Sequence, residues 1–263
     1  MTAMNMLVKR WMAALPAFML LFIGSAHSQE LDRRTLCPVG GSDGQVILMI
    51  DATDPLTPVA QERLKELLQG LSDSDNKHYL QPGYELIVYY LPAQLADLQK
   101  PALRVCNPGN PKDRTVADNL TSGVVDARRM WRAFQLRIRK ALPRLSQQTE
   151  SAQSPLLESI AVAAARHIPN LGVGQRKPTR LFLFSDMLQN SGRLSHYKSL
   201  PSMQQFKSMV GHSEMDGDLT GVEVYLFYVR RVGLEHLQTP EHYYWWTRAI
   251  ESFGGRVMEQ VPL

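Results

Sequence analysis

The chain contains short apolar runs in which hydrophobic and polar residues do not alternate. Such runs are typical of strands that are buried on both faces of a parallel sheet. Two of them end in an aspartate, Asp51 and Asp186. The pattern predicts four strands and a last, short edge strand, at residues 46–50, 84–91, 181–186, 222–228 and 256–258.

Between these runs, apolar residues recur at helical spacing. Three helices are predicted to begin at the pairs Thr57-Pro58, Ser154-Pro155 and Thr239-Pro240, because a hydroxyl can cap a helix and proline fits its first position. An amphipathic helix over about 125–145 and a short one near 201–210 are also predicted, with 92–122 and 187–220 otherwise irregular. Alternating strands and helices predict an α/β fold, a three-layer, doubly wound and mainly parallel sheet in one domain over 29–263.

The first 28 residues have the pattern of a secretory signal. Lys9 and Arg10 precede an uncharged apolar run, residues 11–24, and small residues follow up to a predicted cleavage after Ser28. An uncleaved anchor is the alternative, but the run is shorter than the roughly 20 residues that span a membrane. Cleavage leaves 235 of the 263 residues and lowers the net charge from +4 to +2. We therefore expect a periplasmic or secreted protein that contacts the membrane only through this segment.

The chain has two cysteines, Cys37 and Cys106, too few for a disulfide-rich scaffold or a four-cysteine zinc site. Export implies an oxidising compartment, which favours a bridge between them over two buried thiols. On the chain-entropy model a bridge closing a loop of about 70 residues contributes ~4 kcal/mol. Export also makes nucleic acid an unfavourable partner, despite the positive net charge.

Carboxylates and hydroxyls cluster where the predicted strands end. Asp51 opens a segment with Thr53, Asp54 and Thr57, while Asp186 ends a later strand. Binding sites of open α/β sheets lie at the carboxyl ends of parallel strands. Carboxylate and hydroxyl oxygens are ligands that Mg²⁺ prefers. The pattern thus indicates a polar site at this edge of the sheet.

Three segments together resemble the metal-binding motif of von Willebrand factor A (vWA) domains. Asp51-x-Thr53 is similar to the opening of the family's Asp-x-Ser-x-Ser, Ser154-Pro155-Leu156 to its Thr-Pro-Leu segment, and Phe184-Ser185-Asp186 to its strand that ends in Thr-Asp-Gly. The order of the segments agrees with that fold across about residues 45–259. Two departures are Pro55, which has no hydroxyl at the third motif position, and Met187, which stands where the family has glycine.

The resemblance implies a site for a divalent cation, Mg²⁺ or else Mn²⁺ or Ca²⁺. Its ligands would be Asp51, Thr53, Ser154 and Asp186, with Thr57 or Asp54 as candidates to compensate for Pro55. In the family, a partner's carboxylate commonly completes the coordination sphere. The resemblance therefore implies an adhesion or assembly module that binds another protein, here one of the cell envelope. A degenerate vWA-like fold without metal is the alternative.

The competing prediction is a Mg²⁺-dependent phosphohydrolase similar to the haloacid dehalogenases, with Asp51 as the nucleophile. Asp51 and Asp186 match that family's first and last acidic positions. Thr53 stands where the family has its second aspartate, so the general acid is missing. The chain also lacks a Gly-x-Ser-x-Gly elbow, a phosphate-binding glycine loop and a His-Glu-x-x-His motif. Binding is therefore favoured over catalysis.

The predicted helix over 125–145 is rich in basic residues. They indicate either a surface for anionic lipids, cell-wall polymers or an acidic protein, or the solvated face of an amphipathic helix, which is the favoured interpretation. The candidate partner surface consists of Arg128, Arg129, Arg132, Arg137 and Lys140.

Overall fold

The computed structural model describes residues 31–51, 53–91, 95, 98, 100–113, 124–141, 151–169, 173–211, 215 and 217–263. The predicted signal segment lies outside these residues. The strands are β1 (Gly44–Asp51), β2 (Tyr84–Leu91), β3 (Leu103–Cys106), β4 (Thr179–Ser185), β5 (Val222–Tyr228) and β6 (Arg256–Pro262). The helices are α1 (Pro58–Gly70), α2 (Val124–Ala141), α3 (Leu156–His167), α4 (Met203–Val210) and α5 (Pro240–Ser252), with a 3₁₀ turn at Val173–Gln175.

The six strands form one sheet in the order β3-β2-β1-β4-β5-β6. Every neighbouring pair is parallel except β2 and β3, which are antiparallel. The carboxyl ends of β1, β4 and β5 lie side by side, since Ile50 pairs with Phe184 and Ser185 pairs with Tyr228. The predicted α/β fold with a mainly parallel sheet is confirmed, and its carboxyl edge brings together chain segments that are far apart in sequence.

Helices cover both faces of the sheet, which explains the continuous apolar runs. Alternate residues of a strand point to opposite faces. On β1, Ile47 and Met49 belong to the core that α3, α4 and α5 cover, whereas Leu48 and Ile50 belong to the core under α1 and α2. Both sets are excluded from water, so β1 has no position at which a polar residue would be solvated.

Two of the three predicted hydroxyl caps are present. The Thr57 hydroxyl accepts from the backbone N–H of Ala60 at 3.2 Å and Thr239 caps α5 in the same way. The prediction that Ser154 caps α3 is wrong, because Pro155 occupies the N-cap position and makes no side-chain cap bond. The side chain of Gln189 caps α3 instead, by accepting from Leu157 N at 2.8 Å. The Ser154 hydroxyl is thereby left to bind elsewhere.

The prediction that residues 92–122 are irregular is wrong in one place. Leu103–Cys106 forms the edge strand β3, which its short length and the neighbouring prolines concealed. The predicted Cys37–Cys106 disulfide is confirmed, and it ties the segment before β1 to this strand. It is compatible with an oxidising compartment.

Two further expectations concern helices. Helix α2 begins at Val124, close to the predicted start, and is described to Ala141; residues 142–150 lie outside the described part of the chain. Within the described ranges, no helix is both long and apolar enough to cross a membrane.

Candidate binding site at the carboxyl edge of the sheet

Asp51, at the end of the central strand β1, accepts hydrogen bonds from several other residues of the site. Its Oδ1 accepts hydrogen bonds from the backbone N–H and the hydroxyl of Thr53, at 3.1 and 2.6 Å. Its Oδ2 accepts from the hydroxyls of Ser154, at 3.0 Å, and Ser185, at 2.8 Å. One buried carboxylate thus collects three hydroxyls from three separate segments of the chain.

Asp186 directly follows β4 and is also buried. Its Oδ1 accepts from the backbone N–H of Leu188 at 2.9 Å, and its Oδ2 accepts from Nε of Arg231 at 3.1 Å. Burial, and then the charge of nearby Asp51, raise the pKa of Asp186 to about 7, against the opposing effect of Arg231. The four predicted residues Asp51, Thr53, Ser154 and Asp186 therefore lie at one edge.

Arg231 follows β5, and its guanidinium contacts groups at the ends of both β1 and β4. Besides Asp186, the guanidinium donates from Nη1 to the carbonyl oxygen of Pro55, and its Nη2 lies 3.9 Å from Oδ2 of Asp54. Its own backbone N–H donates to the side chain of Gln238 at 2.8 Å, and Gln238 in turn donates to the Asp186 carbonyl at 3.0 Å. Arg231 thus connects the loop after β1 to the end of β4.

The conformation and burial of Met187 explain how methionine is accommodated where the vWA pattern has glycine. Its φ of 63° lies in the left-handed region, which favours the glycine of the family. A non-glycine residue costs roughly 1–2 kcal/mol in this conformation. The Met187 side chain is fully buried in the core. The turn after β4 therefore keeps the conformation that glycine allows, while burial of the methionine offsets its cost.

A surface cleft of about 240 Å³ opens next to these groups. Its polar lining includes Thr53 and Ser154, which bind Asp51, and also Asp54, Asp186, Asn190 and Tyr197. Burial, and then the charge of Asp186, raise the pKa of Tyr197 to about 12, so its phenol stays protonated and can donate a hydrogen bond. The cleft thus offers carboxylate, hydroxyl and amide groups to a ligand.

The described donors do not fit a divalent cation while Arg231 keeps its contacts. Mg²⁺ and Ca²⁺ take six or more oxygen ligands. Each Asp51 oxygen already accepts two hydrogen bonds, Asp186 binds the guanidinium, and the Thr57 hydroxyl caps α1. In the described ranges, no three His, Cys, Asp or Glu residues form a group able to hold a metal. Cation binding by these residues stays a prediction.

The sequence-based prediction missed Ser185 and Arg231. Ser185 was visible as the residue before Asp186, but alternation along β4 does not show that its hydroxyl turns toward Asp51. The sequence gives a weaker indication of Arg231 than of Ser185. It is a basic residue three positions after β5, the strand that pairs with β4. Only the strand order shows that it lies beside Asp186.

The candidate partner surface lies on α2, which does not line the cleft. Arg128, Arg129, Arg132 and Lys140 are exposed, and Arg129 pairs with Asp126 of the same helix at 2.8 Å. Arg137 is half-buried and donates to the backbone carbonyl of Arg33 at 2.7 Å. The role of this surface stays a prediction.

Comparisons with protein-family models and with curated proteins found no match for the chain.

Proposed function

We propose that the chain is an exported protein-binding or assembly module of vWA-like fold. Its partner, a protein of the cell envelope, binds at the cleft on the carboxyl edge of the sheet. One observation carries the proposal: Thr53, Ser154 and Ser185 converge on Asp51, beside Asp186, in the chain order of the vWA motif segments. Open α/β sheets place their ligands at this edge.

The size and lining of the cleft support a macromolecular partner. Sites for drug-sized ligands occupy about 300–1,000 Å³ and are mostly apolar. This cleft has about 240 Å³ and is lined by polar groups such as Asp54, Asn190 and Tyr197. Such a cleft suits one side chain or loop of a protein partner. Side chains that donate hydrogen bonds fit it best, because two of its lining groups are carboxylates.

The export part of the proposal rests on the predicted signal before Gln29 and on the disulfide. A bridge between Cys37 and Cys106 persists in the periplasm or outside the cell and is rare in the cytosol. Both destinations contain envelope proteins that such a module would bind.

The contacts of Asp51 favour binding over phosphohydrolase chemistry. A nucleophilic carboxylate needs an oxygen lone pair directed at the phosphorus atom. Asp51 is 2% exposed, and its two oxygens accept four hydrogen bonds from its own chain. We expect no hydrolysis of generic phosphate esters above that of an Asp51→Asn control. Turnover that Asp51→Asn abolishes would favour the enzyme instead.

Crosslinking followed by a binding measurement tests the proposal. A photo-reactive amino acid at Tyr197, which is 44% exposed, should crosslink an envelope protein in cells, whereas one at exposed Val39 serves as the control. The purified adduct partner should then bind the Tyr197→Arg variant at least tenfold more weakly than wild type. Val39→Arg should bind like wild type. Equal binding by Tyr197→Arg and wild type would contradict a site at this edge.

A further inference from the structure

We propose that the guanidinium of Arg231 takes the place of the divalent cation in this chain. The carboxyl edge is then held together without metal, and partner binding is independent of Mg²⁺. This inference deepens the proposed function, because it concerns the same site.

The contacts of Arg231 join two of the three segments that a cation would join, and the third, at Ser154, is held by its hydrogen bond to Asp51. Its guanidinium reaches the loop after β1, at Asp54 and the Pro55 carbonyl, and the end of β4, at Asp186. A guanidinium presents five N–H donors in a fixed planar fork, so it can bind acceptors in several directions at once. It thereby hydrogen-bonds Asp186 and the Pro55 carbonyl and lies within ion-pair distance of Asp54, which joins two segments of the chain.

Pro55 occupies the motif position that lacks a hydroxyl, and Arg231 binds at that position. Proline cannot supply a side-chain oxygen to a cation. Its carbonyl oxygen, however, accepts from Nη1 of Arg231. The residue that cannot supply a hydroxyl to a metal ion is therefore the one whose carbonyl oxygen binds the guanidinium.

The burial of Arg231 distinguishes this arrangement from an ordinary surface ion pair. Its side chain is 12% exposed and that of Asp186 is 4% exposed. Exposed pairs contribute little to stability, whereas removing one partner of a buried pair leaves the other buried group without its partner, which destabilises the fold. The side chain of Gln238 also fixes the backbone of Arg231. The guanidinium of Arg231 is therefore held in place at this edge of the sheet. Its positive charge repels a metal ion that approaches the same carboxylates.

Thermal unfolding and calorimetric titration with MgCl₂ and MnCl₂ test the inference. Wild type should show no binding heat, and its Tm in 5 mM metal should equal that in EDTA within about 1 °C. Arg231→Gln should lower Tm in EDTA by roughly 5–15 °C. Metal should then raise the Tm of this variant, because the carboxylates have lost their cation. Arg256→Gln is the matched control, since it removes an arginine from an exposed pair with Glu223.

Three outcomes would overturn the inference: stoichiometric metal binding by wild type, an Arg231→Gln Tm equal to that of Arg256→Gln, or no metal response of Arg231→Gln. If Arg231→Gln does not fold, Arg231→Lys replaces it. Lysine keeps the charge but loses the fork, so we expect a smaller fall in Tm and no response to metal; a response would count against the inference. Partner binding that EDTA abolishes in wild type would overturn the metal-free edge while leaving the proposed function intact.

Discussion

Replacing Asp51 with alanine is expected to lower the free energy of unfolding by about 3 kcal/mol, because it removes the acceptor of four hydrogen bonds. The substitution leaves the hydroxyls of Thr53, Ser154 and Ser185 and one backbone N–H without this partner. A buried donor left unsatisfied costs roughly 1–3 kcal/mol. Four such losses would sum to more than the expected value.

Two effects reduce that sum. Hydroxyls rotate and find other acceptors, and the variant no longer buries the charge of Asp51, which also raises the pKa of Asp186. Asp51→Asn should cost less, about 1–2 kcal/mol, because its amide oxygen still accepts from Thr53 while its NH₂ group cannot accept from Ser154 and Ser185.

Urea unfolding at neutral pH, followed by circular dichroism, measures these differences. Glu62→Ala is a suitable control, because its exposed pair with Lys65 on α1 contributes little. We expect the order of stability to be wild type and Glu62→Ala, then Asp51→Asn, then Asp51→Ala. A loss below about 1 kcal/mol for Asp51→Ala would refute the view that this carboxylate organises the edge.

Two further predictions concern the disulfide and a buried histidine. The double variant Cys37→Ala/Cys106→Ala should lose about 4 kcal/mol in urea unfolding, since the bridge joins residues 69 positions apart; a loss below about 1 kcal/mol would contradict this. Burial lowers the pKa of His242 to about 4 from 6.5, so we expect wild type to lose stability as the pH falls from about 6.5 toward 4. His242→Gln should lose less over that range than wild type or the exposed control His236→Gln, and equal pH slopes would argue against it.

The strands at the centre of the sheet could be predicted because burial on both faces leaves a local signal. Residues 84–91 and 222–228 form β2 and β5 with the predicted bounds. Edge strands carry a weaker signal, since solvent and turns adjoin them. Thus β3 was missed, and β6 extends to Pro262, beyond the predicted 256–258.

The residues that cap the helices could likewise be predicted only in part. Thr57 and Ser154 both precede proline, yet only Thr57 caps its helix. The Ser154 hydroxyl binds Asp51, a residue 103 positions away, and Gln189 caps α3 in its place. A local motif cannot reveal this alternative contact, because Asp51 lies next to Ser154 only once the sheet has formed.

By itself, the sequence determined the α/β class, the central strands, the pairing of its two cysteines and the polar residues that end β1 and β4. These features follow from local periodicity, from residue chemistry and from having a single possible disulfide. Only the tertiary structure decided what those polar residues do. Parallel pairing sets the end of β5 beside the end of β4, and so brings the guanidinium of Arg231 onto Asp186, Asp54 and Pro55. The spacing of residues along the chain cannot predict that contact, because it depends on the order of the strands in the sheet.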